Sequence, residues 1–259
     1  MHKVDFTCNI CAHQVRNCPA ERIDREVVSC DNCGSTVRIR SIIHLLSVAL
    51  YGRSLELPDW PANKQILGIG LSDWEGYAKR LEVKVSYKNT YFHKEPFMDI
   101  TSIKESEEGK YDFVISSDVF EHVAPPVSRA FINSRKLLKM GGHLILTVPY
   151  GNGPDTVEHF GRLFLYKTIE IDGDYVLVNK TKSGSFELYQ DLNFHGGPGQ
   201  TLEMRAFCRS DVARHLHESG FQKIMFFSNS VEKFGIRHNY PWSLPILAGV
   251  AANPSTPTS

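Results

Sequence analysis

Short, nearly continuous apolar runs alternate along this chain with stretches whose apolar residues recur at helical spacing. A short apolar run opening Gln65–Asp73 enters a Gly-x-Gly turn, and Lys84–Phe92 is β-rich. Tyr111–Ser117 (YDFVISS) and His143–Pro149 (HLILTVP) read as buried strands, Gln222–Phe227 reads as a further strand, and Glu95–Ile100 as a short extended piece carrying an acid. Between them, Trp74–Leu81, Arg129–Lys139 and Ser210–Gly220 read as helices. Gly141-Gly142 is expected to stop the second of these; Ser210 is the expected N-cap and Gly220 the stop of the third. Strands alternating with helices predict parallel crossovers and an α/β, doubly wound, mainly parallel sheet. In such sheets ligands collect at the carboxyl ends of the strands. The run Gln-Ile-Leu-Gly-Ile-Gly-Leu-Ser-Asp (Gln65–Asp73) therefore draws notice, because Gly68 and Gly70 suit a turn whose main chain a ligand approaches closely.

Two regions depart from the alternation. Gly151 to Ala206 reads as an insertion after the fifth strand, with structure at Val157–Leu165 and Tyr175–Val178 and a turn between strands at Asp172-Gly173. At the carboxyl edge of the sheet it is placed to roof a site and select an acceptor. Its segment Phe194–Arg205 is a Gly/Pro-rich loop that presents His195 at one end and Glu203 and Arg205 at the other. The second region is residues 1–40, where Cys8-x-x-Cys11 and Cys30-x-x-Cys33 set two thiols at each of two tight turns. Four sulfurs at this spacing predict a closed tetrahedral Zn2+ site that supports folding rather than catalysis, in a module resembling a zinc ribbon. A redox dithiol is the competing chemistry, and His13 or Cys18 is a conceivable substitute ligand. The expected organisation is a zinc module at 1–40, a connecting helix (Ile42–Leu50) and Pro-containing linker at 41–61, a catalytic domain at 62–252 with its insertion at about 151–206, and a disordered tail at 253–259.

GIGLSD, DFVISSDVFEHV and LKMGGHLILTVP, taken in order and spacing, resemble the successive motifs of class I S-adenosylmethionine-dependent methyltransferases. The resemblance covers roughly Leu57 to Phe227. It implies a Rossmann-like, seven-stranded sheet whose last strand is antiparallel, a part that Leu244–Val250 would supply, and S-adenosyl-L-methionine as the cofactor. By position in these motifs, Gly68, Gly70, Leu71, Asp73, Asn89, Asp99, Ile100, Ser117, Asp118 and His122 are the expected cofactor-binding residues. Asp99 stands where the family places an acid that receives the adenine amino group, and Ser117-Asp118 where the methionine portion and sulfonium rest. Asn89 departs from the pattern, since the family has there an acid that grips the ribose hydroxyls; an amide offers weaker, uncharged hydrogen bonds.

Composition narrows the acceptor. With 29 basic and 29 acidic residues the formal charge is zero, so no long-range field draws the protein to nucleic acid, although RNA stays an open alternative through the zinc module. No apolar run is long enough to span a bilayer, and no basic, then apolar, leader opens the sequence; a cytoplasmic protein without a membrane partner is expected. The expected reaction is O-methylation of a small-molecule or sugar-containing acceptor. A hydroxyl is a weak nucleophile at neutral pH and calls for a base. His195 is the first candidate, followed by His122 and His159. A non-catalytic zinc-ribbon adaptor with a degenerate cofactor fold is the non-enzymatic alternative. Oligomeric state is not legible.

Overall fold

The computed structural model describes residues 2–252, and the expected disordered tail at 253–259 lies outside the described residues. A hairpin of β1 (Lys3–Thr7) and β2 (Gln14–Pro19) opens the chain. Helix α1 (Val37–Tyr51) leads to β3 (Asn63–Leu71), α2 (Glu75–Lys84), β4 (Val85–Thr90), β5 (Tyr111–Ser117), α3 (Ser128–Leu137) and β6 (Leu138–Thr147). The insertion then supplies the short strands β7 (Tyr150–Gly151) and β8 (Val157–Glu158), and the longer β9 (Leu165–Ile171), β10 (Asp174–Lys180) and β11 (Phe186–Tyr189). A small pair, β12 (Phe194–His195) and β13 (Thr201–Leu202), precedes β14 (Arg205–Cys208). Helix α4 (Arg209–Glu218), β15 (Lys223–Phe226) and β16 (Ile246–Gly249) follow.

The main sheet has the order β15-β16-β6-β5-β3-β4. Strands β4, β3, β5 and β6 are parallel, and β16 runs antiparallel between β6 and β15. Leu244–Val250 thus supplies the expected antiparallel strand. Among the described residues the sheet has six strands rather than seven. Glu95–Ile100 contributes only a single parallel bridge, Tyr91 to Phe97. Pro96 offers no N–H to a ladder, and Asp99 Oδ1 accepts from the Thr101 N–H and hydroxyl, which turns the chain away from an extended course.

Three boundaries differ from expectation for local reasons. Helix α1 starts at Val37 because the Thr36 hydroxyl accepts from the Ile39 N–H, so a division between residues 40 and 41 falls inside it. Helix α3 stops at Leu137, and Gly141-Gly142 lie within β6: Tyr111 pairs with Leu138 but Phe113 with His143, a bulge that Gly141 absorbs at φ 79°. The cap of α4 is Cys208, whose Sγ accepts from the Asp211 N–H, rather than Ser210.

Successive residues of the central strands face opposite layers. Ile69, Leu71, Val114, Leu144 and Leu146 pack with α3 and α4, through residues such as Phe131 and Val212. Phe113, Ile115, Ile145 and Tyr87 pack with α1, α2 and the N-terminal module in one continuous core. The module therefore shares its apolar interior with the catalytic sheet. Gly68 and Gly70 face this second layer. A Cβ at Gly68 would fall inside the Phe113 ring, and one at Gly70 would collide with the Tyr87 hydroxyl and the Asp73 carboxylate. The expected Gly-x-Gly turn is thus the end of β3, and its glycines leave room for the Phe113 ring, the Tyr87 hydroxyl and the Asp73 carboxylate. The chain turns one residue later, at Ser72, which takes the left-handed conformation (φ 57°).

Asp73 follows that turn and is only 3% exposed. The Tyr87 hydroxyl donates to its carboxylate, while Oδ1 has no hydrogen-bond partner. Burial pushes its pKa up to about 7, against the opposing effect of the Tyr87 and Tyr77 hydroxyls. An acid whose folded pKa lies above its unfolded value binds more protons in the native state, so its penalty is absent at low pH and grows as pH rises from about 4 to about 7. Asp73→Asn is therefore expected to abolish a fall in unfolding free energy over that window, on the order of 4 kcal/mol, in urea titrations at stepped pH. Gly70→Ala is expected to cost about 1–3 kcal/mol in the same titrations, partly recovered by adding Tyr87→Phe.

Candidate active site

The register of the parallel strands brings their carboxyl ends into one row. Leu71 lies beside Thr90 on one side and Ser116 on the other, and Ser117 lies beside Thr147. The loops that follow, at Ser72, Tyr91, Asp118 and Val148, therefore share the edge where a doubly wound sheet binds ligands.

The expected cofactor residues divide along this edge. Gly68 and Gly70 lie within β3, Leu71 ends it with its side chain buried, and the Asp73 carboxylate turns into the core. Asn89 is committed to the loop itself: its Oδ1 accepts from the Asp73 N–H at 2.9 Å, and its Nδ2 donates to the Asp73 carbonyl at 2.8 Å and to the Tyr91 hydroxyl at 3.1 Å. The amide that replaces the family's acid thus shapes the turn after β3. Asp99 is half-buried; Oδ1 is occupied by Thr101, and the other oxygen has no protein partner. Ile100 is buried in the α3–α4 layer, where its carbonyl accepts from Asn133. An unpaired carboxylate oxygen at this edge is the kind of acceptor a nucleoside amino group needs.

Ser117 and Asp118 end β5, with Asp118 in the left-handed conformation (φ 53°). Its carboxylate accepts from Arg25 Nη2 at 2.8 Å and from the Thr147 hydroxyl at 2.8 Å, and Arg38 Nε lies 3.2 Å away. Arg38 also donates to the Ser117 hydroxyl. Burial would raise the Asp118 pKa, but the two guanidiniums and the hydrogen bonds outweigh it and hold the carboxyl below its usual value. The cations at Asp118 are thus two arginines of the N-terminal module, where the sequence suggested a ligand's sulfonium. Both arginines also line a cavity of about 220 Å³ with Tyr240 and Trp242. In the sequence Arg25 and Arg38 enter only the count of basic residues; the signal was Arg38 standing in the first turn of a helix that starts soon after the second Cys pair.

The four cysteines at the two turns meet. Cys8 Sγ lies 3.6 Å from Cys33 Sγ, and Cys11 Sγ 3.8 Å from Cys30 Sγ. Sulfurs on a tetrahedral zinc ion with bonds of about 2.3 Å stand about 3.8 Å apart, so this cradle fits the ion. Cys18 points elsewhere, toward the Pro19 and Ser29 carbonyls, and His13 is exposed. Arg40 is fully buried beside this cluster and donates to Ser29, Ser35, Phe234 and Gly235, which ties the second turn to the segment before β16.

The three candidate histidines also converge, through the insertion. Strand β14 and its approach are stitched to the 3-10 turn Phe120–His122: the Met204 N–H donates to the Glu121 carbonyl, Arg205 to the Phe120 carbonyl, and His122 Nδ1 to the Leu202 carbonyl, at 2.7–2.9 Å. Arg205 is buried and paired with Glu158, so its role is to pin this junction. Pairing of β12 with β13 folds the Phe194–Arg205 loop on itself, so its two ends become neighbours. Glu203 then receives His195 Nε2 at 2.9 Å on one oxygen and His159 Nε2 at 2.9 Å on the other. The His122 and His195 rings meet edge to face, 4.7 Å between centroids. Burial raises Glu203, but hydrogen bonds from His159 and Asn193 hold it below the usual carboxylate range. Burial lowers His122, only partly offset by its bond to the Leu202 carbonyl. A glutamate flanked by two imidazoles can orient a ring and stabilise its protonated form.

A family model described as a methyltransferase domain matches residues 69–146, from the end of β3 to the end of β6. No curated protein matches the chain. Among solved structures, an S-adenosylmethionine-bound amino pentose methyltransferase from Micromonospora echinaspora is 10% identical, with a TM-score of 0.46 over 83% of this chain and 92% of that one. A sugar N-methyltransferase from a Streptoalloteichus species is 12% identical, with a TM-score of 0.43 over 73% and 81%. No helix is long and apolar enough to cross a membrane among the described residues. The matched stretch spans the row of strand ends built above, and it is there that the chain is similar to a methyltransferase domain.

Proposed function

We propose that the chain O-methylates a hydroxyl of a small-molecule or sugar-containing acceptor, with His195 as the proton acceptor. The observation that supports this reading is the convergence of His195, His122 and His159 on the Glu121–Glu203 region, a few residues beyond the Ser117-Asp118 strand end. S-adenosylmethionine brings a methyl group already activated by its sulfonium, so the protein's share is alignment and deprotonation. On the cofactor side, Ser72 and Asn89 shape the loop against the ribose, and the free oxygen of Asp99 receives the adenine amino group. Ser117 and Asp118 form the wall at the methionine end, with Ile100 behind Asp99. Glu203 fixes the His195 ring and balances the charge it gains on taking the hydroxyl proton, while His159 shares that carboxylate. Zn2+ held by Cys8, Cys11, Cys30 and Cys33 shapes the N-terminal module, and the buried Arg40 guanidinium offsets part of the negative charge of four thiolates. A cytoplasmic setting suits six cysteines that are all unbridged.

His195→Ala is expected to lower kcat about 10²–10⁴-fold and to flatten the limb of the pH profile near neutrality, with S-adenosylmethionine binding by calorimetry unchanged. An unchanged rate and profile would remove His195 from the mechanism; transfer to RNA but to no small hydroxylated acceptor would move the acceptor class. Titration with a mercurial reagent is expected to release one zinc per chain, with loss of cooperative melting, and Cys30→Ser to carry no zinc.

A further inference from the structure

Glu121 is the least explained charge in the protein. Its side chain is 0% exposed, and neither carboxylate oxygen has a hydrogen-bond partner. Arg40 and Arg205 are matched by carbonyls, hydroxyls and a carboxylate, Asp118 accepts from two guanidiniums, and Asp73 keeps one oxygen bonded to Tyr87, whereas Glu121 has neither oxygen paired. Burial, with the Asp118 charge behind it, strongly disfavours the ionised form of Glu121. Such a carboxylate is either kept neutral or lacks a cation that belongs beside it.

The surroundings decide for a cation. Glu121 Oε1 lies 3.7 Å from His122 Nε2, too long for a hydrogen bond but close to the spacing of about 3–3.5 Å between neighbouring ligands on an ion with bonds of 2.0–2.2 Å. His122 Nδ1–H donates to the Leu202 carbonyl, which leaves the lone pair on Nε2. His195 Nε2–H donates to Glu203, which leaves the lone pair on its other nitrogen. Imidazoles whose second nitrogen is anchored by a carbonyl or carboxylate are the usual form of metal-ligating histidine. One donor atom from each of Glu121, His122 and His195 falls within 4.8 Å of the other two.

We propose that Glu121, His122 and His195 bind one divalent transition-metal ion, with Glu203 as the positioning residue for His195. Two imidazoles and one carboxylate select an ion of the Mn2+, Fe2+, Co2+ or Zn2+ kind over Mg2+ or Ca2+, which prefer all-oxygen sites. The His195 side chain is 41% exposed, so the site opens to solvent on one side and leaves positions for water or an acceptor oxygen. Resting on the methyl-transfer reading, the metal-bound and metal-free forms differ in what deprotonates the acceptor: with the ion bound, coordination would lower the hydroxyl pKa and its proton would leave to water, and without it the His195 lone pair is free to act as the base.

The test is equilibrium dialysis against Mn2+ of protein carrying one zinc per chain, the thiolate-bound ion, read by electron paramagnetic resonance, since Mn2+ competes poorly for a four-thiolate site. One Mn2+ per chain is expected. Glu121→Gln and His195→Asn should each abolish it, and Glu203→Gln should weaken it about 10–100-fold. Without metal, Glu121→Gln should melt no lower than wild type, because burial already disfavours the ionised carboxylate, and Mn2+ should no longer raise its melting temperature. Absence of Mn2+ binding to the wild type, or binding unaffected by these substitutions, would overturn the proposal; His195→Asn, at a half-exposed ring, decides if Glu121→Gln does not fold. Calorimetry with S-adenosylmethionine on the same samples keeps the two readings apart. Mn2+ binding without cofactor binding sinks methyl transfer and retains the metal site, and the reverse sinks the metal site alone.

Discussion

Two guanidiniums on one carboxylate hold the N-terminal module over the strand ends. Asp118 sits in a left-handed turn at the end of β5, largely out of solvent, and is kept ionised only because Arg25 and Arg38 reach it. Removing either arginine would leave a buried charge under-compensated, which costs far more than a surface ion pair returns. The same contact sets what the edge presents: the strand end is a closed, charge-balanced wall, and Ser117 is drawn into it through Arg38.

A second junction sets the chemistry. The insertion returns to the sheet through Met204, Arg205 and Leu202, all bonded to the turn that carries Glu121 and His122. This stitching carries His195 and His159 to residues some 40 to 70 positions away in the chain. Buried Arg205 is the pin: it spans Glu158 on one side and the Phe120 carbonyl on the other, so the roof and the site are one assembly.

How legible this was depends on the kind of signal. Parallel strands buried on both faces are written as apolar runs, and the two Cys-x-x-Cys pairs announce their meeting directly. The alternation of layers was implicit in the period of the strands, but the placing of Phe113 and Tyr87 over Gly68 and Gly70 was not, because a sequence does not say which aromatic ring will lie over a given Cα. The missing third strand had a local cause in Pro96 and the Asp99 turn. Arg25, Arg38 and Glu121 were not legible as site residues, since their partners come from other elements. The Glu203 bridge was half visible: the loop was recognised as Gly- and Pro-rich, but its closure into a hairpin, which makes its two ends touch, was not.

Helix α1 gives the molecule a mechanical property. It begins just after the second cysteine pair, carries Arg38 and Arg40 in its first turn, and runs 15 residues, about 22 Å, through the interior layer against the sheet. One rigid rod thus has its root in the sulfur cluster and its first side chains on the β5 terminus. Oxidative damage to the thiols would loosen that root and weaken the hold of Arg38 on Asp118, so a lesion in the sulfur cluster would be felt at the end of β5.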